Sequence, residues 1–256
     1  MPALKPRPIG ILIHGGTGRM GRAVAEAAAS DERFVLQGLI DLRPRSHKPL
    51  EHPGFVEHIP GVASDSMVVV DFSHPAGIGA LVTALSGTGI RLVSGTTGLG
   101  SEEKSLLEAY SKESAVFYDT NMSYGISVMK KVLSVVASLW ADAADVEIVE
   151  THRRGKRDYP SGTAHALARA IAPGARLVSG REGGHTRAER VIHTHSLRVG
   201  GVPGDHEVVF ATEDEVMRIS HRALSREAFA RGALRAVRFV VGKGPGMYSM
   251  DDLTGG

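Results

Sequence analysis

The chain of 256 residues contains no cysteine. That excludes disulfides, a thiolate metal site and a cysteine nucleophile. It also fits a reducing compartment, so a cytoplasmic location is expected. No apolar run approaches the roughly 20 residues that a membrane helix needs, and no membrane association is expected. The first residues, MPALKPRP, lack the apolar stretch and cleavage site of a secretory leader. An excess of charge is missing too: 30 basic against 28 acidic residues leave a net +2. No basic stripe marks a nucleic-acid partner. Repeats and low-complexity segments are likewise missing. What is present is an ordinary globular mix, 42% hydrophobic and 23% charged. The length suits one large domain or two small ones, with a sizeable core. Glycine and histidine stand out at 31 and 12 residues, and the glycines cluster in short motifs.

Apolar runs rich in β-branched residues, IGILIH, FVLQGLID, MVVVDFS, IRLVS and AVFYDTN, alternate with helical stretches up to residue 123. That alternation predicts a parallel sheet with helices on both faces. The pattern then changes. A long apolar-periodic helix, Tyr124 to Trp140, precedes DVEIVETH, a charged loop, the helix AHALARAIA and several consecutive strands. Consecutive strands mean antiparallel or mixed pairing. A last helix, SREAFARGALRAVRFVVG, leads into a glycine-rich tail. The expected fold class is α/β: a Rossmann-type dinucleotide-binding domain with a parallel sheet, plus a second α+β domain with a mixed or antiparallel sheet. The first is expected over 1–123 and 227–256. The second, over 124–226, is expected to bind substrate and to oligomerise.

Gly15, Gly18 and Gly21 form G-x-x-G-x-x-G between the first strand and the first helix. Gly15 allows a sharp turn, Gly18 a close approach of backbone to a pyrophosphate, and Gly21 close packing of helix on strand. The helix N-terminus offers N–H groups and a positive dipole end, and Arg19 adds a cation there. Asp41 ends the second strand, 20 residues after Gly21, where an acid holds ribose hydroxyls. A tight turn without a ligand is the bland alternative.

A second dense stretch is THRRGKRDYPSGTA, Thr151 to Ala164. His152, Arg153, Arg154 and Lys156 supply basic groups, and Ser161-Gly162-Thr163 opens a helix whose N-terminus suits an anion. A small carboxylate substrate would fit. A solvated basic loop with an ordinary cap is the alternative.

The second stretch, with Glu150, reads E-T-H-R-R-G-K-R-D-Y-P-S-G-T-A. It resembles the E-x-H-H-R-x-K-x-D-x-P-S-G-T-A motif of the dihydrodipicolinate reductase (4-hydroxy-tetrahydrodipicolinate reductase) family of diaminopimelate and lysine biosynthesis. GRMG (Gly18 to Gly21), VDFSHP (Val70 to Pro75), SGTTG (Ser94 to Gly98), NMSYGISVM (Asn121 to Met129) and REGGHTRAER (Arg181 to Arg190) match further landmarks in order. The resemblance spans nearly the whole chain. It implies NADH and/or NADPH as cofactor, a cyclic dicarboxylate substrate and a homotetramer assembled through the second domain. It assigns Gly15, Gly16, Thr17, Gly18, Arg19 and Met20 to the pyrophosphate and Asp41 to the adenosine ribose. Gly95, Thr96 and Thr97, with Asp119, Thr120, Asn121 and Met122, are assigned to the nicotinamide side. It makes Lys156 the proton donor, His152 a proton donor or acceptor, and Ser161, Gly162 and Thr163 the substrate-carboxylate site. Arg153 replaces the family's second histidine; an arginine can pair bidentately with a carboxylate. Leu42 follows the ribose acid where the family often has arginine, with Arg43 and Arg45 just beyond. Use of both cofactors with a modest NADH preference is therefore expected.

Competing readings are a related amino-acid dehydrogenase and a nucleotide-sensing protein on the same fold. Intact Lys156 and Ser161-Gly162-Thr163 argue against both. His193 and His195 share one strand face and could bind a metal. No third ligand is evident, so no metal is expected. His206-Glu207 does not start an H-E-x-x-H motif, because Phe210 stands at its end. The strand run from Arg190 to Ala223 predicts a sheet that one helix cannot cover, with exposed apolar faces that would form an interface.

Overall fold

A computed structural model describes residues 7–41, 67–140, 143–180 and 191–255. The expected loop from Arg43 to Pro60, residues Leu42, Arg43 and Arg45, and the REGGHTRAER landmark lie outside the described residues. Two compact units emerge: unit 1 is Met1–Ser123 with Glu227–Gly256, and unit 2 is Tyr124–Arg226.

In unit 1, β1 (Ile9–His14), β2 (Phe34–Ile40), β3 (Met67–Asp71), β4 (Arg91–Ser94) and β5 (Ala115–Tyr118) alternate with α1 (Arg19–Ala29), α2 (Ile78–Leu85) and α3 (Ser101–Ser111). All are parallel, in the order β2-β1-β3-β4-β5. β3 is buried along its whole length, as expected for a strand covered on both faces. Leu12, Val69, Leu92 and Val116 pack with Leu81, Leu85, Leu107 and Tyr110 from α2 and α3. Order reverses where β1 meets both β2 and β3, and such a switch point opens a crevice at the strand C-termini.

The glycine-rich tail differs from its expectation. After α6 (Glu227–Val240), Gly246–Tyr248 forms a sixth parallel strand, β11, beside β5. A short helix, α7 (Met250–Leu253), follows. Three residues are too few to show a period, so only the backbone ladder reveals this strand.

Unit 2 holds α4 (Tyr124–Trp140), β6 (Asp145–His152), α5 (Gly162–Ile171), β7 (Arg176–Ser179), β8 (Val191–Arg198), β9 (Gly204–Ala211) and β10 (Val216–Ala223). The sheet order is β10-β9-β6-β8-β7. Pairing is mixed: β6 and β7 run parallel to β8, whereas β9 is antiparallel to β6 and β10. One face is covered by both α4 and α5, through Met129, Leu133, Leu167 and Ile171 against Ile148, Ile192, Val208 and Phe210. The uncovered face is mixed: it exposes the apolar Leu197 and Val216 and carries the ion pairs Arg218–Glu207, Arg222–Asp205 and His195–Glu147. A further exposed apolar stripe lies on α4, at Val128, Val132, Val135 and Leu139, spaced three or four residues apart along one helix face.

Packing of α1 on β1 leaves no room at Gly21, where a Cβ would lie 2.3 Å from the Gly15 carbonyl oxygen. Because that neighbour is backbone, it cannot swing aside. Gly21→Ala should destabilise unit 1 by about 1–3 kcal/mol, read from urea denaturation by far-ultraviolet circular dichroism. Gly174→Ala, where a Cβ meets nothing within 4 Å, should stay within about 0.5 kcal/mol of the native chain.

Candidate functional site

The C-terminal ends of β1, β3 and β4 are tied by one carboxylate. Asp71 is fully buried, as is His14, whose Nδ1 lies 2.8 Å from Asp71 Oδ1. The hydroxyls of Ser94 and Thr96 each donate to Oδ2 at 2.7 Å, and the Ser73 N–H donates to Oδ1 at 3.2 Å. Burial pushes the Asp71 carboxyl upward, but the His14 and hydroxyl contacts outweigh it and hold it below the ordinary value. This knot fixes two of the expected cofactor segments, Gly15-Gly16 after β1 and Gly95-Thr96 after β4. Gly15 has φ +79°, and a Cβ there would lie 2.5 Å from the Phe72 carbonyl oxygen. A residue with a side chain is therefore excluded twice over.

Gly18 caps α1, which starts at Arg19 and Met20 with no acidic residue in its first turn. Asp41 approaches the turn from the end of β2: its Oδ2 accepts from the Thr17 N–H at 3.3 Å and from the Thr17 hydroxyl. After β5, the Asp119 carboxylate accepts from the Asn121 N–H at 3.0 Å and, at 3.3 Å, from the Met250 N–H of the returning chain. Thr97 and Thr120 are exposed, whereas the Met122 side chain is buried in the core.

In unit 2, strand alternation explains the second cluster. Val146, Ile148, Glu150 and His152 share the inward face of β6. The first two are core, and the last two are polar and buried where the apolar layer runs out. Glu150 is completely buried, and an ionised carboxylate there needs donors. It has them. Arg198 on β8 grips it with Nη2 at 2.8 Å from Oε1 and Nη1 at 3.0 Å from Oε2. The Ser161 N–H donates to Oε1 at 3.3 Å, and His152 Nδ1 meets Oε2. Burial alone would raise the Glu150 carboxyl, but His152 and Arg198 hold it well below the ordinary carboxylate range. With Glu150 accepting, His152 donates through Nδ1, which leaves Nε2 outside that contact.

Ser161 joins the loop to α5. Its Oγ accepts from the Ala164 N–H at 3.1 Å, capping the helix, and lies 3.3 Å from His206 Nε2. The His206 ring sits edge-on to His152, with centroids 5.1 Å apart. Lys156 donates to both Asp158 carboxylate oxygens, at 2.9 and 2.7 Å. Arg153 keeps its guanidinium close to Gly155, and its carbonyl accepts from the Lys156 N–H. Gly162 is exposed on the first turn of α5, with Thr163 partly exposed beside it. His152, Arg153, Lys156, Ser161, Gly162 and Thr163 are thus gathered on β6, one loop and one helix start.

Two family models cover the chain: "Dihydrodipicolinate reductase, N-terminus" matches residues 9–122 and "Dihydrodipicolinate reductase, C-terminus" residues 125–254. The chain belongs to the dihydrodipicolinate reductase family. It is 40% identical to a 4-hydroxy-tetrahydrodipicolinate reductase of Rubrobacter xylanophilus, covering 96% of this chain and 98% of that one. It is 38% identical to the same-named protein of Caldanaerobacter subterraneus, with equal coverage. A dipicolinate-bound dihydrodipicolinate reductase from Paenisporosarcina shares the fold, with a TM-score of 0.69 at 23% identity over 96% of this chain and 99% of that one. As a member of this family, the chain is an NAD(P)H-dependent oxidoreductase whose N-terminal part, residues 9–122, is a dinucleotide-binding domain. The bare glycine turn and the acid-free start of α1 fit a dinucleotide phosphate.

Four residues in this cluster escape sequence reading as candidate site residues: Glu150, Asp158, Arg198 and His206. Glu150 and Asp158 lie inside the motif, but only the fold shows what they hold. Arg198 and His206 come from other strands. The period-2 run Gly204, His206, Val208, Phe210 was available, and it places His206 on the buried face. Among the described residues, Glu150, His152 and His206 also form the one group whose potential metal ligands come within 4.8 Å of one another. Glu150 is already engaged by Arg198, His152 and Ser161, so the group is built as a hydrogen-bond network. His193 and His195 do not converge on a metal site. His193 Nδ1 lies 2.8 Å from the Gly180 carbonyl oxygen, and His195 Nε2 lies 2.8 Å from Glu147.

His206 is pushed down from 6.5 to about 3, first by burial and then by neighbouring His152. In the unfolded chain it binds a proton as pH falls through 6.5, and in the folded chain it does not. Unit 2 should therefore lose stability on acidification below pH 6.5, by up to about 1.4 kcal/mol per pH unit for this one proton. Glu150 adds a loss of the same sign below its ordinary 4.5. Trp140, the only tryptophan, stacks on Phe210 at 6.4 Å and reports unit 2. Melts followed by its fluorescence should show the loss, and His206→Asn should flatten it between pH 6.5 and 4.5. A native transition that is flat across that interval contradicts the assignment.

Proposed function

We propose that the protein reduces 4-hydroxy-tetrahydrodipicolinate to tetrahydrodipicolinate in diaminopimelate and lysine biosynthesis, using NADH or NADPH. The observation that carries this reading is the β6–loop–α5 cluster. There a buried carboxylate orients an imidazole, and an ammonium and a capped helix start lie within the same short stretch. Unit 1 would hold the nicotinamide, which would supply the hydride that a ring carbon of the substrate takes up as the 4-hydroxyl leaves as water. The protein supplies orientation and charge.

Residues Gly15 to Met20 hold the pyrophosphate against the start of α1, and Asp41 accepts from the adenosine ribose. Gly95 to Thr97 and Asp119 to Met122 line the nicotinamide side; from the buried Met122, the main chain is the part offered. In unit 2, Gly162, Thr163 and Ser161 receive a substrate carboxylate at the positive end of α5. Arg153 takes the place of a histidine beside it. Lys156 donates the proton that accompanies hydride arrival, and Asp158 keeps its ammonium in place beforehand. His152, held by Glu150, presents Nε2 to the substrate as a proton donor or acceptor and tunes the charge beside it. Both cofactors serve, with NADH modestly preferred, because the Asp41 carboxylate opposes a further phosphate on the ribose.

Among the described residues no helix is long and apolar enough to cross a membrane, and we place the enzyme in the cytoplasm. We also propose a homotetramer assembled through unit 2, supported by the apolar stripe on α4 and the uncovered sheet face.

NAD(P)H oxidation on addition of enzymatically generated substrate tests the activity; no oxidation with either cofactor refutes it. Lys156→Ala should lower turnover about 100- to 10,000-fold while dinucleotide binding persists, and near-native turnover removes Lys156 from its role. Light scattering at micromolar concentration should give four times the chain mass, and a monomer mass refutes the assembly.

A further inference from the structure

We propose that Thr17 sets the dinucleotide preference of unit 1 by holding the Asp41 carboxylate in the ribose-accepting position. The inference rests on the reading that Asp41 accepts from the adenosine ribose. Thr17 sits in the middle of the glycine turn, between Gly16 and Gly18. It reaches across to the end of β2 with two donors, its backbone N–H at 3.3 Å and its hydroxyl. Both fall on the same oxygen, Oδ2. Among the described residues, no protein donor is assigned to Oδ1, which remains as the acceptor for a ribose hydroxyl.

The physical consequence is preorganisation. An aspartate at a strand end can otherwise turn about two side-chain bonds, and binding a ribose would have to freeze it. Here the freezing precedes the ligand. A hydroxyl bonded to a carboxylate is also among the stronger neutral-to-charged contacts. For NADPH the same tether acts in reverse. A carboxylate free to rotate could swing away from the added phosphate, whereas a tethered one keeps its charge close to it. Thr17 therefore favours NADH and disfavours NADPH through one contact. A glycine or alanine at this position would keep the turn and lose the hydroxyl.

Equilibrium titration by nicotinamide fluorescence gives the dissociation constants of NADH and NADPH for the full-length native protein, Thr17→Val, Thr17→Ser and Asp41→Ala. Thr17→Val should weaken NADH about tenfold and leave NADPH equal or tighter. Thr17→Ser, which keeps the hydroxyl, should stay within about twofold of the native ratio. Thr17→Ala carries the same test where the valine disturbs the turn, with circular dichroism as the folding check. If Asp41→Ala shifts the ratio and the hydroxyl-free variants do not, the Thr17 proposal is overturned and the ribose reading stands. If serine behaves like valine, the methyl rather than the hydroxyl matters, which also overturns it. If Asp41→Ala leaves the ratio unchanged, the ribose reading itself falls.

Discussion

The candidate site of unit 2 depends on the burial of one ionised carboxylate. Glu150 lies where no water reaches it, so the fold must surround it with donors or lose several kcal/mol. The donors come from three places in the chain: a guanidinium on β8, an imidazole two residues along β6, and a backbone N–H at the start of α5. Satisfying Glu150 thus fixes, in one act, the rotamer of His152, the docking of the loop from Arg153 to Ser161 and the position of the α5 N-terminus. Arg198 extends the arrangement, since its Nη2 also donates to the Asp158 carbonyl oxygen at 2.7 Å. Asp158 in turn holds Lys156. The ammonium and the imidazole are therefore placed by two connected contacts rather than by independent packing.

Unit 1 repeats the device with different chemistry. Asp71 takes its donors from β1, from β4 and from the turns that follow β3 and β4. It locks together the strand ends from which the Gly15 and Gly95 turns emerge. Buried carboxylates of this kind are poor sources of net stability. What they add is geometric definition: a ligand face built from the ends of several strands keeps its shape because those ends share one acceptor.

Much of this was legible in the sequence. The parallel sheet shows as continuous apolar runs such as MVVVD, because strands covered on both faces need no polar alternation. The glycine turn and the loop from His152 to Thr163 are local, so spacing alone identifies them. Contacts between distant strands are not local, which is why Arg198 and His206 could not be paired with Glu150 from spacing. β9 begins at Gly204, three residues before the apolar stretch that reveals it, and the missing residues include His206. The open sheet face, part apolar at Leu197 and Val216 and part ion-paired, was legible only in part for a related reason. Alternation gives the parity of side chains along a strand, but the charged pairing across strands that solvates that face depends on register. β11 escaped because a three-residue strand is defined by its neighbour β5 and by nothing in its own composition.

Unit 1 is discontinuous. Its sheet edge, one of its covering helices and the N–H that closes on the Asp119 carboxylate come from the segment beginning at Glu227, whereas unit 2 is a single uninterrupted insertion. During translation the ribosome delivers all of unit 2 before the segment that supplies α6 and β11 to unit 1 exists. Unit 2 can thus complete its own core while unit 1 still lacks α6 and β11. Nascent chains stalled before Glu227 leave β5 as a bare edge, the kind of strand that recruits other chains. The unit that begins first along the chain is thus completed only after unit 2 has been synthesised.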